Sequence, residues 1–294
     1  MRILITGANG QLGHELQRAL KDHTLLLGIW PEFDVLKGVV EKQVLEAEAE
    51  VVIHTAAHTD VDGAERDPDN AMAINAVGTE RVARAAAKSG SRLIYLSTDY
   101  VFDGKKSAPY GETDEPNPLN AYGRSKLEGE RRALASCPNT LVVRTAWMYS
   151  AHGKNFVKTV MELAHAQPEL RVVGDQRGCP THAGDLAEAM ARMLSLNLRG
   201  VIHATGAGDC TWHEFACAIV SLMGVPVTVH AITTAEAKRA APRPAYAVLA
   251  NRRLAKLGIV LPHWRDSLPR FMRAELIARY PGNTLPHGSG WRTE

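Results

Sequence analysis

The amino-acid sequence predicts an α/β fold, in which a doubly wound parallel sheet is followed by a smaller mixed α/β domain. Short apolar runs bounded by turn residues alternate with helical stretches through the first half of the chain. Parallel strands need a crossover of about a dozen residues, which a helix supplies. After residue 147 the alternation loosens, because Gly, Pro and His interrupt the apolar runs. The 294 residues also correspond to roughly two domains, at about 150 residues for each.

Each element of the first half is predicted from apolar periodicity. An apolar run predicts the first strand over residues 2–6, and Leu12, Leu16 and Leu20 share one face of a helix predicted over residues 11–21. The same alternation predicts strands over 25–27, 51–55, 92–97 and 140–144, with helices over 39–49, 70–88 and 120–135. Further helices are predicted over 155–166, 183–196 and 213–223.

These elements divide the chain into three parts. Residues 1–148 are predicted to form the doubly wound domain. Residues 149–280 are predicted to form a smaller substrate-binding lobe, from which some segments return to the first domain. Residues 281–294 are rich in Gly and Pro and are predicted to be an irregular tail.

The composition limits the kinds of partner. The 34 Lys and Arg residues nearly balance the 32 Asp and Glu residues, so no large positive charge is available to attract nucleic acid or an anionic membrane. The four cysteines include no Cys-x-x-Cys pair, which is typical of thiols in a reducing compartment. No secretory signal is visible, and no apolar run reaches about 18 residues. We therefore expect a soluble, cytoplasmic protein with a small-molecule partner.

A glycine-rich turn joins the first predicted strand to the first helix. Gly7, Gly10 and Gly13 let the chain turn sharply and let backbone N–H groups approach a pyrophosphate at the helix N-terminus. The spacing Gly-x-x-Gly-x-x-Gly alone is a weak signal. The strand before it and the amphipathic helix after it favour a dinucleotide-binding Rossmann domain.

The sequence leaves the choice between NADH and NADPH open. An acidic residue that accepts from the ribose 2′-hydroxyl usually ends the second strand, whereas Gly28, Ile29 and Trp30 occupy that position. Asp34 and Val35 follow, and Asp34 either contacts the adenine or caps a helix.

Tyr122 and Lys126 lie four residues apart on a predicted helix and therefore share one face. Such a pair is common on solvated faces, but Ser97 and Thr98 end a predicted central strand, where open α/β sheets bind ligands. A ketone that accepts hydride needs a proton, and a phenol with a pKa of about 10 donates more readily beside a cation. We expect Tyr122 to donate the proton, Lys126 to supply the cation and Thr98 to bind the carbonyl oxygen.

The glycine turn, Thr98 and the Tyr-x-x-x-Lys pair together resemble the extended short-chain dehydrogenase/reductase superfamily. Longer stretches are similar to the dTDP-4-dehydrorhamnose reductase family, and this similarity extends from Met1 to about Leu276. These stretches are residues 56–62 (AAHTDVD), 97–104 (STDYVFDG), 118–123 (PLNAYG), 144–149 (RTAWMY) and 174–181 (GDQRGCPT).

The resemblance implies that NADH or NADPH reduces the 4-keto group of dTDP-4-dehydro-6-deoxy-L-mannose (dTDP-4-dehydrorhamnose) to give dTDP-L-rhamnose. It implies that Tyr122 protonates the C4 oxygen and that Lys126 also holds the nicotinamide ribose. Besides the three glycines, Tyr122 and Lys126, the residues assigned to the cofactor are Gln11, Leu12, Asp34, Val35, Ala56, Ala57, His58, Thr59 and Ser97. The residues assigned to the nucleotide-sugar substrate are Thr98, Asp99, Trp147, Asn155 and Arg177.

Two departures from the family pattern concern the nucleotide and a metal. In the family an Arg-Pro pair is generally followed by Asn and Ser, which help to hold the nucleotide, whereas residues 243–249 here read RPAYAVL. The exact nucleotide therefore stays open. Glu15 matches one glutamate of a metal site that some members carry at a subunit contact, but Gly184 replaces a second one. We predict no metal, and the sequence leaves a homodimer open.

Two alternatives to a reductase remain. One is an NDP-sugar epimerase or dehydratase of the same fold, although dehydratases carry acidic catalytic residues after the Thr and only Asp99 precedes Tyr100 here. The other is a non-catalytic NADP-binding module, because the regulatory subunit of methionine adenosyltransferase is similar in fold and sequence.

Overall fold

The computed structural model describes residues 1–279 of the chain, so the predicted tail at 281–294 lies outside the described residues. The strands are β1 (Arg2–Thr6), β2 (Thr24–Gly28), β3 (Val51–His54), β4 (Arg92–Thr98), β5 (Thr140–Thr145), β6 (Met148–Tyr149), β7 (Glu169–Val173), β8 (Arg177–Gly178), β9 (Thr181–His182), β10 (Gly200–His203), β11 (Cys210–Thr211) and β12 (Thr228–Ile232). The main sheet has the order β10-β5-β4-β3-β1-β2, and its neighbouring strands are parallel.

The connections between the strands are largely helical. The α-helices are α1 (Gln11–Ala19), α2 (Val39–Glu46), α3 (Val61–Arg66), α4 (Pro68–Met72), α5 (Thr79–Lys88), α6 (Ala121–Ser136), α7 (Phe156–Ala166), α8 (Ala183–Leu194), α9 (Trp212–Met223), α10 (Thr234–Ala237), α11 (Arg252–Lys256) and α12 (Trp264–Arg279). No helix within residues 1–279 is long and apolar enough to cross a membrane.

Helices cover both faces of the main sheet, because successive side chains of a strand point to opposite faces. Ile3 and Ile5 of β1 are fully buried in one apolar cluster with side chains of α1 and α8. Leu4 between them belongs to a second cluster, formed with side chains of α2 and α5. The predicted doubly wound Rossmann fold is confirmed.

The helix predicted over residues 70–88 is interrupted, and the prediction of one continuous α-helix was wrong. A π-helical turn over Ala73–Gly78 separates α4 from α5. Apolar periodicity does not reveal this wider turn. Its physical role is visible in Asn75, whose buried amide accepts from the backbone N–H of His58 at 2.8 Å and donates to its carbonyl at 3.0 Å. Turns of this kind often occur at functional sites.

Residues beyond 148 contribute to two layers. The strand β10 pairs with β5 in the main sheet, and α8 packs against α1. The helices α7, α9 and α12 enclose a separate apolar cluster with Tyr149, Phe215 and Trp264 at its centre. Short strand pairs, β7 with β12 and β6 with β9, lie beside it. The domain boundary proposed near residue 148 stays a prediction.

Candidate active site

A cavity of about 750 Å³ lies at the carboxyl ends of the strands of the main sheet. Open α/β sheets bind ligands at this edge, outside the ends of their strands. Many of the residues assigned from the sequence line this one cavity. They are Gly7, Gly10, Gln11, Leu12, Asp34, Val35, Ala56, Ala57, Thr59, Ser97, Thr98, Asp99, Tyr122, Lys126 and Trp147.

The turn between β1 and α1 forms one end of the cavity. Gly7 has a φ of 68°, in the left-handed region that favours glycine. A Cβ on Gly13 would lie 2.4 Å from the carbonyl oxygen of Gly7, although Gly13 itself does not line the cavity. Gly10 caps α1 without a side-chain hydrogen bond, and the first turn of α1 carries no acidic residue. Free N–H groups and the helix dipole suit this end of the cavity to a pyrophosphate.

Replacing Gly13 with Ala is expected to weaken cofactor binding at least about tenfold, because the backbone of the turn must move away from the new methyl group. Isothermal titration of the purified variant with NADPH measures this loss. Gly38→Ala is the matched control, since a Cβ there meets no atom within 4 Å. Equal NADPH affinity of Gly13→Ala and the wild type would contradict the assignment of this turn to the pyrophosphate.

The helix α6 contributes Tyr122 and Lys126 to the cavity lining. Asn120 fixes the start of this helix by accepting from the N–H of Gly123 at 2.8 Å. Lys126 is 3% exposed, and its ammonium donates to the carbonyl oxygen of Leu96 at 2.7 Å. Burial lowers the pKa of Lys126 to about 7, and the negative charge of Glu130 opposes this shift.

Tyr122 is close to the end of β4. Burial raises the pKa of its phenol above the ordinary value, and a hydrogen bond with Thr98 partly offsets the rise. The hydrogen bond with Thr98 therefore makes this phenol more acidic, and the same effect expected from Lys126 stays a prediction. The Tyr100 ring meets the Tyr122 ring edge-on, with 5.7 Å between the ring centroids. A phenol held in this way stays protonated at neutral pH and is available as a proton donor.

A buried ion pair joins the helix α6 to the strand β5. Arg144 of β5 binds Glu130 of α6 through two hydrogen bonds of 2.8 and 2.7 Å. The hydroxyl of Ser97 donates to the same carboxylate at 2.5 Å. Both charged side chains are almost fully buried, at 4% and 3% exposure. Glu130 lies one turn beyond Lys126 on α6. The ion pair between Glu130 and Arg144 therefore helps to fix the position of Lys126 and keeps beside it the negative charge that raises its pKa.

Asn75 makes a second connection to α6. Its amide donates to the hydroxyl of Ser125 at 2.9 Å, and that hydroxyl donates to the carbonyl oxygen of Tyr122 at 2.8 Å. Because Asn75 also binds the backbone of His58, the segment after β3 and the start of α6 are held at a fixed separation. His58 contributes its backbone to this connection and does not line the cavity.

Trp147 forms an aromatic wall of the cavity together with Trp212. The two indole rings are parallel, with 3.4 Å between their centroids and 6° between their planes. Trp147 has a φ of 45°, a conformation that costs a bulky residue about 1–3 kcal/mol. A Cβ on Gly178 would lie 2.4 Å from the Trp147 ring. The backbone of Gly178 and the ring of Trp212 therefore hold this indole in place.

The segment after β2 contributes Trp30, Phe33, Asp34 and Val35 to the cavity lining. Asp34 Oδ1 accepts from the N–H of Leu36 at 3.0 Å. The helix α2 begins only at Val39, so Asp34 does not cap it. Asp34 and Val35 thus belong to the cavity lining, and their contact with an adenine stays a prediction.

Two residues assigned to the substrate lie outside the cavity lining. Asn155 caps α7 and donates to Gln11 Oε1 at 3.2 Å. Arg177 pairs with Asp209 at 2.6 Å and with Glu214 at 3.3 Å. The cavity is also lined by residues that the sequence did not indicate, and some of them are direct neighbours of predicted site residues. They are Asn9, Trp30, Phe33, Leu36, Thr55, Ile74, Leu96, Tyr100, Thr145, Ala146, Met148, Gly153, Lys154 and Trp212.

The fold and the cavity together indicate the class of protein. A Rossmann sheet in which a glycine turn and a Tyr-x-x-x-Lys helix line the same cavity is typical of nicotinamide-dependent reductases of the short-chain dehydrogenase/reductase type.

Comparisons with known proteins identify the family. The family model described as RmlD substrate binding domain matches residues 1–277. A dTDP-4-dehydrorhamnose reductase from Sinorhizobium fredii is 40% identical, covering 94% of this chain and 98% of its own. The chain belongs to the dTDP-4-dehydrorhamnose reductase family.

Solved structures agree with this assignment. A dTDP-4-dehydrorhamnose reductase from Clostridium acetobutylicum superposes with a TM-score of 0.90 at 42% identity, covering 93% of this chain and 99% of its own. One from Bacillus anthracis, in complex with NADP, also has a TM-score of 0.90, at 38% identity and with the same coverage. Both the fold and the sequence of this chain are thus those of the family.

Proposed function

We propose that the protein reduces the C4 keto group of dTDP-4-dehydrorhamnose to give dTDP-L-rhamnose, with NADPH or NADH as the reductant. The observation that carries the proposal is that Thr98, Tyr122 and Lys126 line the same cavity as the glycine turn. The relatives named dTDP-4-dehydrorhamnose reductase support the choice of substrate, and the NADP complex of one of them supports the choice of cofactor.

The residues present fit a dinucleotide. The turn around Gly7 and the uncapped start of α1 would hold the pyrophosphate. Asp34 and Val35 would contact the adenine, and Lys126 would hold the nicotinamide ribose. The remaining residues proposed to line the cofactor are Gly10, Gln11, Leu12, Gly13, Ala56, Ala57, His58, Thr59 and Ser97. The bound cofactor supplies the hydride.

The side chains near Tyr122 then perform the acid chemistry. As C4 gains hydride, negative charge develops on the carbonyl oxygen and needs a proton. The Tyr122 hydroxyl donates this proton, and the Thr98 hydroxyl donates a hydrogen bond to the same oxygen. The ammonium of Lys126 stabilises the phenolate that remains on Tyr122, since a buried cation interacts strongly with a nearby anion.

The wall built from Trp147 is proposed to position the hexose. An indole offers a broad face to a sugar ring, and its fixed conformation favours one orientation of the C4 carbonyl. Asp99 is proposed to contact the sugar directly. Asn155 is proposed to act on the substrate indirectly, by holding the side chain of Gln11. Arg177 is proposed to act indirectly as well, because its neighbour Gly178 packs against the ring of Trp147.

A cytoplasmic location, a homodimer and the division into domains at residue 148 are also part of the proposal. Sedimentation equilibrium tests the homodimer, and a single species at the mass of one chain would contradict it.

The proposed function is tested by adding dTDP-4-dehydrorhamnose and NADPH, and in parallel NADH, to the purified protein. We expect the nicotinamide absorbance to fall only when the sugar nucleotide is present, and the product to be dTDP-L-rhamnose. Cofactor binding without turnover, under either cofactor, would contradict a reductase and would favour the non-catalytic NADP-binding alternative.

A further inference from the structure

Asp99 presents a buried carboxyl group whose two oxygens have different surroundings. The residue is 1% exposed and lines the cavity at the end of β4. Its Oδ1 accepts from the hydroxyl of Thr98 at 2.9 Å. Its Oδ2 is buried and has no hydrogen-bond partner within residues 1–279. Buried carboxylate oxygens are normally satisfied, so an anionic Asp99 would leave one of its two oxygens buried without a donor.

The hydrogen bond between Thr98 and Asp99 conflicts with the role proposed for Thr98. A threonine hydroxyl has one hydrogen. The same hydroxyl also makes the hydrogen bond that lowers the pKa of Tyr122. While its hydrogen is donated to Asp99, Thr98 has none to donate to the Tyr122 oxygen or to the C4 oxygen of the sugar. The Thr98 oxygen already accepts from the N–H of Tyr100 at 3.2 Å, and it can accept one more hydrogen bond. A protonated Asp99 is placed to donate that bond.

We propose that Asp99 works in its protonated form and donates to Thr98, so that the single hydroxyl hydrogen of Thr98 is directed to the C4 oxygen. This inference rests on the proposed function. Asp99 acts here through Thr98 and is therefore a positioning residue in this role. Only the direction of one hydrogen bond changes, and no covalent bond forms or breaks at Asp99 or Thr98.

The surroundings of Asp99 support its protonated form. Burial raises the pKa of Asp99 to about 7, although the Thr98 hydroxyl and nearby backbone N–H groups oppose the rise. The titratable groups that respond to its charge are Tyr122 of α6, Tyr100 of the adjoining turn and Cys179 between β8 and β9. All three are neutral at pH 7, because burial raises the pKa of each.

The nearby cations are engaged by other groups. Arg243 forms two hydrogen bonds of 2.8 and 2.9 Å with Asp62 and also interacts with Tyr100. Lys126 donates to the carbonyl oxygen of Leu96. Neither is among the groups that lower the pKa of Asp99, whereas its burial is the dominant influence.

The test is the pH dependence of kcat/KM for dTDP-4-dehydrorhamnose, measured at saturating NADPH. Both Lys126 and Asp99 must hold a proton in the active form, and both lose it near pH 7. Wild-type kcat/KM should therefore fall about a hundredfold per pH unit on the alkaline side, the slope of two ionising groups. Asp99→Asn should fall about tenfold per unit, because an amide donates to Thr98 at every pH and only Lys126 still titrates.

Asp114→Asn is the matched control and should keep the wild-type slope, because Asp114 lies outside the cavity lining and binds Lys106 and the N–H of Gly111. Infrared difference spectra give a second readout: the carboxylic acid C=O band should disappear as the pH rises through about 7 in the wild type and be missing in Asp99→Asn. An unchanged slope in Asp99→Asn, or no such band, would overturn the inference. Failure of the wild type to turn over at any pH would instead overturn the proposed function.

Discussion

Replacing Tyr122 with Phe is expected to lower kcat for the reduction of dTDP-4-dehydrorhamnose by about 10²–10⁴-fold, the usual contribution of a positioned general acid. The variant lacks only the hydroxyl that donates the proton to the C4 oxygen. The remaining ring keeps its edge contact with Tyr100, so the fold and the affinity for NADPH should change little. Steady-state oxidation of NADPH measures the rate, and titration with NADPH measures the affinity.

Tyr149→Phe is the matched control for this prediction. The Tyr149 hydroxyl is buried without a hydrogen-bond partner in the described part of the chain, and the residue does not line the cavity. Removing it should leave kcat within about twofold of the wild type and should not destabilise the fold. A Tyr122→Phe variant as fast as Tyr149→Phe would rule out Tyr122 as the proton donor.

Replacing Glu130 with Leu is expected to reduce the free energy of unfolding by about 3–5 kcal/mol, because the guanidinium of Arg144 would be left buried without its counter-charge. Ser97 would lose its acceptor as well. The same change removes the negative charge that raises the pKa of Lys126. Without Glu130 the pKa of Lys126 should be lower, so any residual activity should be lost at a lower pH than in the wild type as the pH rises. Urea denaturation followed by circular dichroism measures the stability.

The double variant Glu130→Leu/Arg144→Met distinguishes the cost of leaving one buried charge unpaired from the cost of losing the whole ion pair. Two apolar side chains of similar size often replace a buried ion pair with little loss of stability, so the double variant should recover most of the stability lost by Glu130→Leu. A double-mutant cycle measures the coupling of the two residues. Additive losses in stability would show that the two charges do not depend on each other.

Most of the fold could be predicted from local signals. The first strand, the glycine turn and α1 follow from apolar periodicity and from glycine, and these signals lie within a few residues of one another. Apolar periodicity does not predict the π-helical turn over Ala73–Gly78, and the partners of Asn75 within this turn, His58 and Ser125, are distant from it in sequence.

The candidate site shows the same division between local and distant signals. Tyr122 and Lys126 were found because their spacing places both on one face of a helix. Glu130 continues that face, and this spacing could have indicated its role. The spacing of residues along the chain does not indicate Trp212, because Trp212 meets Trp147 only through the tertiary packing of α9. The positive φ of Trp147 likewise depends on tertiary packing.

The direct test of the central claim is the fate of a labelled hydride. Purified protein is incubated with dTDP-4-dehydrorhamnose and NADPH that carries deuterium at the transferable position of the nicotinamide, and the product is examined by NMR. The structure predicts dTDP-L-rhamnose with deuterium at C4 of the hexose, placed there while Tyr122 protonates the C4 oxygen. Unlabelled product, deuterium at another carbon, or unchanged sugar nucleotide would contradict the proposed reduction at C4.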